Sequence, residues 1–360
     1  MSDSGELLHY QLGPGGGIPW DDTTAPHVCA LCQPQVAHFG DALSEYRAAQ
    51  QSSAVFSLSD RVQIEMTGKD ARTFLHNFCS NDVKRLAPGD GCEAFITNVK
   101  GRILAHVFAF VTEHAVWLDS PPTDEERLVA HFDRYLFSED VQLCGHTQEM
   151  GELYVAGGQS VAHLAALGIP ADSLANLQHT MATVDGIRVA ARRVELWNCP
   201  GFLISAQRQR LVELWQRLSA AGVQPGGAQA FHTLRIEAAF PICGIDVTED
   251  NLAQEAGRTK QAISFTKGCY LGQEPIARID ALGHINRQVS RLRLDTETPL
   301  KSPAPVVAPD GSEVGVITSS MVVPGEQQTV ALAMLRTSHG QPGTALSVQS
   351  GQEVISATVF

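Results

Sequence analysis

The order in which two hydrophobic periods succeed one another limits what this chain can fold into more than any single residue does. After Arg61, the apolar Val62, Ile64 and Met66 alternate with Gln63 and Glu65, the period of a strand with one buried face. Thr67 to Asp70 turn the chain, and Phe74, Leu75 and Phe78 then recur at helical spacing, with Asp70 or Thr67 placed to cap the helix. Pro88-Gly89-Asp90-Gly91 breaks the pattern. Strands are expected at about 93–97 and 103–110, joined by a turn at Lys100-Gly101, with a third near 115–118. A helix from about Asp124 follows, with Leu128, Val129, Phe132 and Leu136 on one stripe. This order is that of a ferredoxin-like α+β unit, in which helices cover one face of an antiparallel sheet.

The theme repeats. Strands are expected near 187–191, 194–197 and 202–205, and a helix near 209–221 stacks Leu211, Leu214, Trp215 and Leu218. Beyond Gln288 the helical period gives way to short apolar runs, among them Leu292/Leu294, Val314/Val316 and Val330/Leu332/Met334, punctuated by Pro303, Pro305, Gly311 and Pro324-Gly325. Such spacing predicts a small β-barrel. A length of 360 residues exceeds a single ordinary core. The expected fold is therefore α+β: an N-terminal extension over 1–37, a first α+β lobe over 38–150, a second over 151–287 and a C-terminal barrel over 288–360.

Charge narrows the partners. Twenty-six basic against thirty-nine acidic residues leave a net charge of -13, which disfavours nucleic acid. The first residues carry neither a basic region nor an apolar core, and no run approaches the ~18 apolar residues of a membrane helix, so a cytoplasmic protein with no membrane partner is expected. Eight cysteines are too sparse for a disulfide scaffold.

One stretch concentrates chemistry: Lys267-Gly268-Cys269-Tyr270-Leu271-Gly272-Gln273-Glu274. Two glycines let a ligand approach the main chain. A cationic neighbour such as Lys267 lowers a thiol pKa from about 8.5, and the thiolate attacks electrophiles or binds soft metals. The alternative for Cys269 is a small buried hydrophobe beside a turn.

The string Lys-Gly-Cys-Tyr-x-Gly-Gln-Glu resembles the signature of the YgfZ branch of the GcvT-like folate-binding family, which includes related mitochondrial iron-sulfur assembly factors. Ala54 to Arg61 resembles that family's "VFDLSHR" segment, Phe78 to Val83 its "xTNDV" helix end, and Leu234-Arg235-Ile236-Glu237 with Pro241 and Gly244 its "LRLEAGxPxxG". The resemblance spans roughly 38–360. It implies two GcvT-type α+β domains and a barrel around a central cavity that holds tetrahydrofolate or a derivative, with Cys269 as the acting thiol. Arg235 would be the leading folate contact and Arg193 a second. Asn98, Lys267, Gly268, Tyr270, Gly272, Gln273 and Glu274 complete the implied cofactor-binding set. The function implied is assistance to iron-sulfur client or assembly proteins, with tetrahydrofolate-dependent aminomethyl transfer, or a related one-carbon transfer, as the alternative.

Departures from the transferase pattern bear on that choice. Where the aminomethyltransferases carry an Asp-Asp pair after Asn-x-x-Gly-Gly, this chain runs from Asn98 to Ala105-His106, and alanine cannot move a proton. His106 is read as a hydrogen-bonded structural histidine, although imidazole could serve as a base. Their Gly-Glu-Asp-Gly segment is replaced by Asn198-Cys199-Pro200-Gly201. Cys29 and Cys32, with His27 and His38 nearby, form a lone Cys-x-x-Cys, read as an anchoring apolar pair with a metal site as the other reading, and no metal ligands are assigned. Lys84-Arg85, Arg291/Arg293 and the Asp246 to Asp250 stretch are read as solvated charge.

Overall fold

The alternating run after Arg61 forms the strand Val62–Thr67, paired on both sides within a five-stranded antiparallel sheet. The computed structural model describes residues 6–20, 36–283 and 285–360. Strand order across this sheet is Gly91–Thr97, Ile103–Val111, Ala115–Ser120, Val62–Thr67, Gln142–Gly145. Helices Ala71–Phe78 and Glu125–Asp133 cover one face, where Phe74, Leu75, Leu128 and Phe132 meet Ile64, Met66, Ala94 and Val107. Asp124 caps the second helix by accepting a hydrogen bond from Arg127 N at 2.9 Å. Asp70 precedes the first helix without a capping bond, because its carboxylate accepts from Asp140 N instead.

The second sheet runs His179–Val184, Ile187–Arg193, Gly201–Gln207, Met150–Ala156, Ala54–Ser57, Gln224–Pro225. Its helix Leu211–Ala220 buries Leu211, Leu214, Trp215 and Leu218, the four residues expected from spacing. Two features differ from expectation. Residues 194–197 are not a strand: Tyr154 Oη donates to Val194 O at 3.0 Å and accepts from Leu196 N at 3.1 Å, so a side chain takes the groups a ladder would use. Ala54–Ser57 precedes every strand of the first sheet in sequence yet pairs with Met150–Ala156 in the second.

Six strands after Asn286 close into a barrel in the order Arg287–Leu294, Thr329–Arg336, Glu313–Val322, Ala304–Val307, Ala345–Ser350, Glu353–Val359. Leu292, Ile317, Ala331 and Val348 fill its interior, while Val330, Leu332, Met334 and Met321 pack outward on Ile236, Ile263 and Ile276. Among the described residues, no helix is long and apolar enough to cross a membrane.

The sheets meet face to face through Phe56, Phe108, Phe110, Tyr154 and Leu203, and within that apolar contact lie four buried charges. Asp119 of the first sheet accepts from Arg61 Nε at 2.6 Å and from Arg192 of the second at 2.9 Å. Glu152 of the second sheet lies 3.1 Å from Arg61 and 3.3 Å from Arg192. Ser205 Oγ donates to Glu152 at 2.7 Å. Burial and the adjoining Asp119 push the Glu152 carboxyl up from its ordinary value, against the pull of Arg192 and Arg61. Each buried arginine thus has a carboxyl partner on both sheets, the condition under which its charge can be buried.

Removing one member leaves an uncompensated charge. Asp119→Ala should therefore lower unfolding free energy by about 3–5 kcal/mol in denaturant titration, whereas Glu213→Ala, which breaks the exposed pair with Arg210, should cost under about 1 kcal/mol. Equal losses would show that the buried set does not join the sheets.

Candidate functional site

Two cavities adjoin Pro122, which follows the strand carrying Asp119. The narrower, a slot of about 30 Å³, is walled by Leu58, Asp60 and Arg61 from the crossing between sheets, Leu196 from the Tyr154-held loop, and Phe231 and His232 from the helix Ala228–Glu237. Pro122 lines both this slot and a wider hollow of about 560 Å³. The hollow is bounded by Asn98, Ile103 and Leu104 of the first sheet, by Arg127, His131 and Arg134 along the helix Glu125–Asp133 and its end, and by Cys243 and the 248–250 loop. Arg127 is paired with Glu249 across its mouth. Burial, with Arg134 and Arg127 close by, pushes the His131 imidazole down from its ordinary value, so it is neutral at pH 7.

Asn98 reaches this hollow because of the turn it closes: its Oδ1 accepts from Lys100 N at 2.9 Å and Arg102 N at 3.2 Å. The glycine-framed segment is locked to the back of the same turn. Gly272 holds φ +84°, and a Cβ there would stand 2.5 Å from Asn98 O and 2.6 Å from Thr97 Oγ1, so only glycine fits. Thr97 Oγ1 donates to Leu271 O at 2.8 Å, and Leu271 N donates to Asn77 O at 2.9 Å.

Cys269 is exposed on this segment and is not a small buried hydrophobe. It lines neither the slot nor the hollow. Lys267 is not its activator: the ammonium is buried and donates to Cys79 O at 2.7 Å, to Asn81 O at 3.0 Å and to His76 O, over the Tyr270 ring at 4.6 Å. These carbonyls close the helix Ala71–Phe78, whose negative end favours a cation. Tyr270 is buried beneath that cation, Gly268 is exposed, Gln273 is half-buried and Glu274 stands exposed in the first turn of the helix Gln273–Leu282.

The two arginines expected to hold folate are committed elsewhere. Arg235 is buried and donates to His232 Nδ1, Asp246 Oδ2 and Ser319 Oγ, each at 2.8 Å, clasping its helix to the barrel. Asp246 is thereby a buried partner and not solvated charge. Arg193 donates to Glu195 Oε1 at 3.0 and 2.7 Å and to Leu174 O at 2.7 Å. Sequence reasoning passed over the neighbouring Arg192, Asp60 and His232. A polar residue three positions before Arg235 on one helix was the signal available for His232.

Ala105 is fully buried, and His106 beside it is hydrogen-bonded to Glu93 at 2.8 Å and packed against Phe95, Phe108 and Phe240. Arg258 reaches the same carboxylate at 2.8 and 2.5 Å. Burial would raise the Glu93 pKa, but hydrogen bonds from Arg258 and His106 outweigh it and hold the carboxyl at about 2. No cluster that could hold a metal ion occurs among the described residues, and Cys29 and Cys32 lie outside them.

Residues 33–267 match the family described as the GCVT N-terminal domain, and 287–360 the glycine cleavage T-protein C-terminal barrel domain. The chain is 27% identical over 268 residues to a chloroplast transferase of Arabidopsis thaliana, covering 74% of this chain and 61% of that one. It is 25% identical to an aminomethyltransferase of Herpetosiphon aurantiacus, covering 88% of each chain, and 26% identical to the mitochondrial aminomethyltransferase of Gallus gallus, covering 85% and 80%. The solved aminomethyltransferase T of Bartonella henselae superposes with a TM-score of 0.85 at 20% identity, over 98% of this chain and 96% of that one, a likeness of fold.

Two outcomes follow from the geometry. Lys267→Met should lower stability by roughly 2–4 kcal/mol, since it strips a charged donor from buried carbonyls, yet change the alkylation rate of Cys269 by less than about threefold. A tenfold slower alkylation would restore Lys267 as the activating cation. Glu93 has a folded pKa of about 2 against an ordinary 4.5, so its contribution is present above about pH 5 and is lost as pH falls through 4.5 towards 2. Glu93→Gln should therefore flatten the acid limb of the stability profile over that window, and an unchanged limb would contradict the pairing.

Proposed function

Because the chain belongs to the glycine cleavage T-protein family, we propose that it binds a tetrahydrofolate-type cofactor at the junction of its two sheets and assists iron-sulfur cluster assembly or repair through Cys269. The hollow, at about 560 Å³, is of the size that small-ligand sites occupy, generally about 300–1,000 Å³. Ile103, Leu104, Pro122, Leu128 and Ala130 give this otherwise polar hollow an apolar side on which a flat heterocycle would pack. Arg134 would meet a carboxylate of a glutamate tail, and Asn98 would supply its amide N–H at the wall. When bound, the cofactor would supply one-carbon chemistry; the chain's own residues would orient it and exclude water.

The observation that carries the choice of function is the fate of the two chemical positions. The place where the transferases keep a carboxylate is held by the buried methyl of Ala105, and the adjoining His106 is spent on Glu93. The thiol of Cys269, by contrast, is open to a protein partner. The second reading, folate-dependent aminomethyl transfer, is favoured by the names of the bacterial and animal relatives. It requires a proton-moving group at the position that Ala105 fills.

Calorimetric titration with tetrahydrofolate should give one site per chain. Cys269→Ala should shift that affinity by less than about threefold while failing to restore iron-sulfur enzyme activity in a strain lacking the gene. Full restoration by the Ala variant would remove the thiol role. Turnover of a one-carbon unit by the purified protein would favour the transferase reading instead.

A further inference from the structure

An ion pair that the chain makes with itself closes part of the hollow's mouth. Arg127, on the helix Glu125–Asp133, and Glu249, on the 248–250 loop, both line the hollow and are paired with each other. The main chain behind each is fixed. Thr248 N donates to Asn251 Oδ1 at 2.8 Å, Asp250 O accepts from Arg287 Nη2 at 2.8 Å and from Arg102 Nη1, and Arg127 N donates to Asp124 Oδ1 at 2.9 Å. The two side chains lack such support: they stay 61% and 44% exposed, and an ion pair so open to water is held weakly. Glu249 can therefore leave Arg127 by side-chain rotation, with no movement of the loop.

The composition of the wall makes that exchange the route for an anionic ligand. Arg127 and Arg134 are its guanidinium groups, and Asp124, Glu249 and Asp250 are its carboxyls. Acidic side chains thus outnumber basic ones, and His131, its imidazole pushed down by burial, adds no positive charge at pH 7. A ligand that brings a carboxylate without displacing one adds to the surplus. One that places its carboxylate on Arg127 keeps that guanidinium paired and releases Glu249 to water.

We infer that Glu249 is an internal competitor for the anion site on Arg127: a ligand whose ring is anchored in the hollow exchanges a tail carboxylate for Glu249, and unanchored acids are held off. An anchored tail presents its carboxylate at an effective concentration in the millimolar range, which a free acid has to match in bulk solution. The ligand class is therefore a ring joined to a carboxylate-bearing tail. This inference deepens the folate reading of the hollow and rests on it for the identity of the ring.

Calorimetry with tetrahydrofolate and with 6-methyltetrahydropterin, which has the ring and no tail, tests it. Glu249→Gln, with an unchanged unfolding midpoint, should tighten tetrahydrofolate about threefold and leave the tailless pterin unchanged. In an Arg127→Gln background the same replacement should give no gain, because the contested cation is gone. Equal tetrahydrofolate affinity in Glu249→Gln and wild type would overturn the inference and leave the folate reading intact. A gain that persists without Arg127, or that the tailless pterin shares, would also overturn it, since it would reflect general repulsion. If neither wild type nor variants bind either pterin, the folate reading fails, and glutarate titrated against ¹⁵N-labelled arginine decides the competition alone. The Arg127 Nε–H signal, identified by its loss in Arg127→Gln, should then reach half-shift at about threefold lower glutarate in Glu249→Gln than in wild type. Equal midpoints, or no shift of that signal, would overturn the inference.

Discussion

A buried set of four ionisable side chains, Arg61, Asp119, Glu152 and Arg192, holds the two sheets in one arrangement. Apolar packing of Phe108 and Phe110 on Tyr154 and Leu203 supplies area, but area is tolerant of sliding. Charges are not: each carboxylate sits between Arg61, just before Val62–Thr67, and Arg192 of Ile187–Arg193, and a shift of one residue in register would leave at least one of them unpaired in a dry interface. The junction cavity inherits its walls from this constraint. Arg61 belongs to the charge set and to the slot at once, and Pro121 and Pro122 follow the strand that carries Asp119.

Much of the fold was legible because each signal had a local cause. Val62–Thr67 alternates since one face meets helices, and the Leu211–Ala220 stripe is spaced for a single buried face. Met150–Ala156 escaped because it is buried on both sides, so its run has no period. Residues 194–197 misled because their apolar content is real while their hydrogen bonds go to a tyrosine hydroxyl 40 residues away. The lobe to which Ala54–Ser57 pairs is a matter of topology, which no window of sequence contains.

The site was legible to a different degree. Asn98 borders the hollow, Cys269 is exposed but borders neither cavity, and Gly272 is explained by a turn that a Cβ would collide with. Arg235 and Lys267 show the limit: a charge is visible in sequence, but its partner is not. Arg235 finds Asp246 and Ser319, and Lys267 finds three carbonyls at a helix end, and both are thereby withdrawn from ligand chemistry.

A structure of the protein with 5-formyltetrahydrofolate bound addresses the central claim most directly. The account requires the pteridine in the hollow between Asn98 and the 248–250 loop. Ligand seated elsewhere on the chain, with the junction cavity filled only by water, would contradict it.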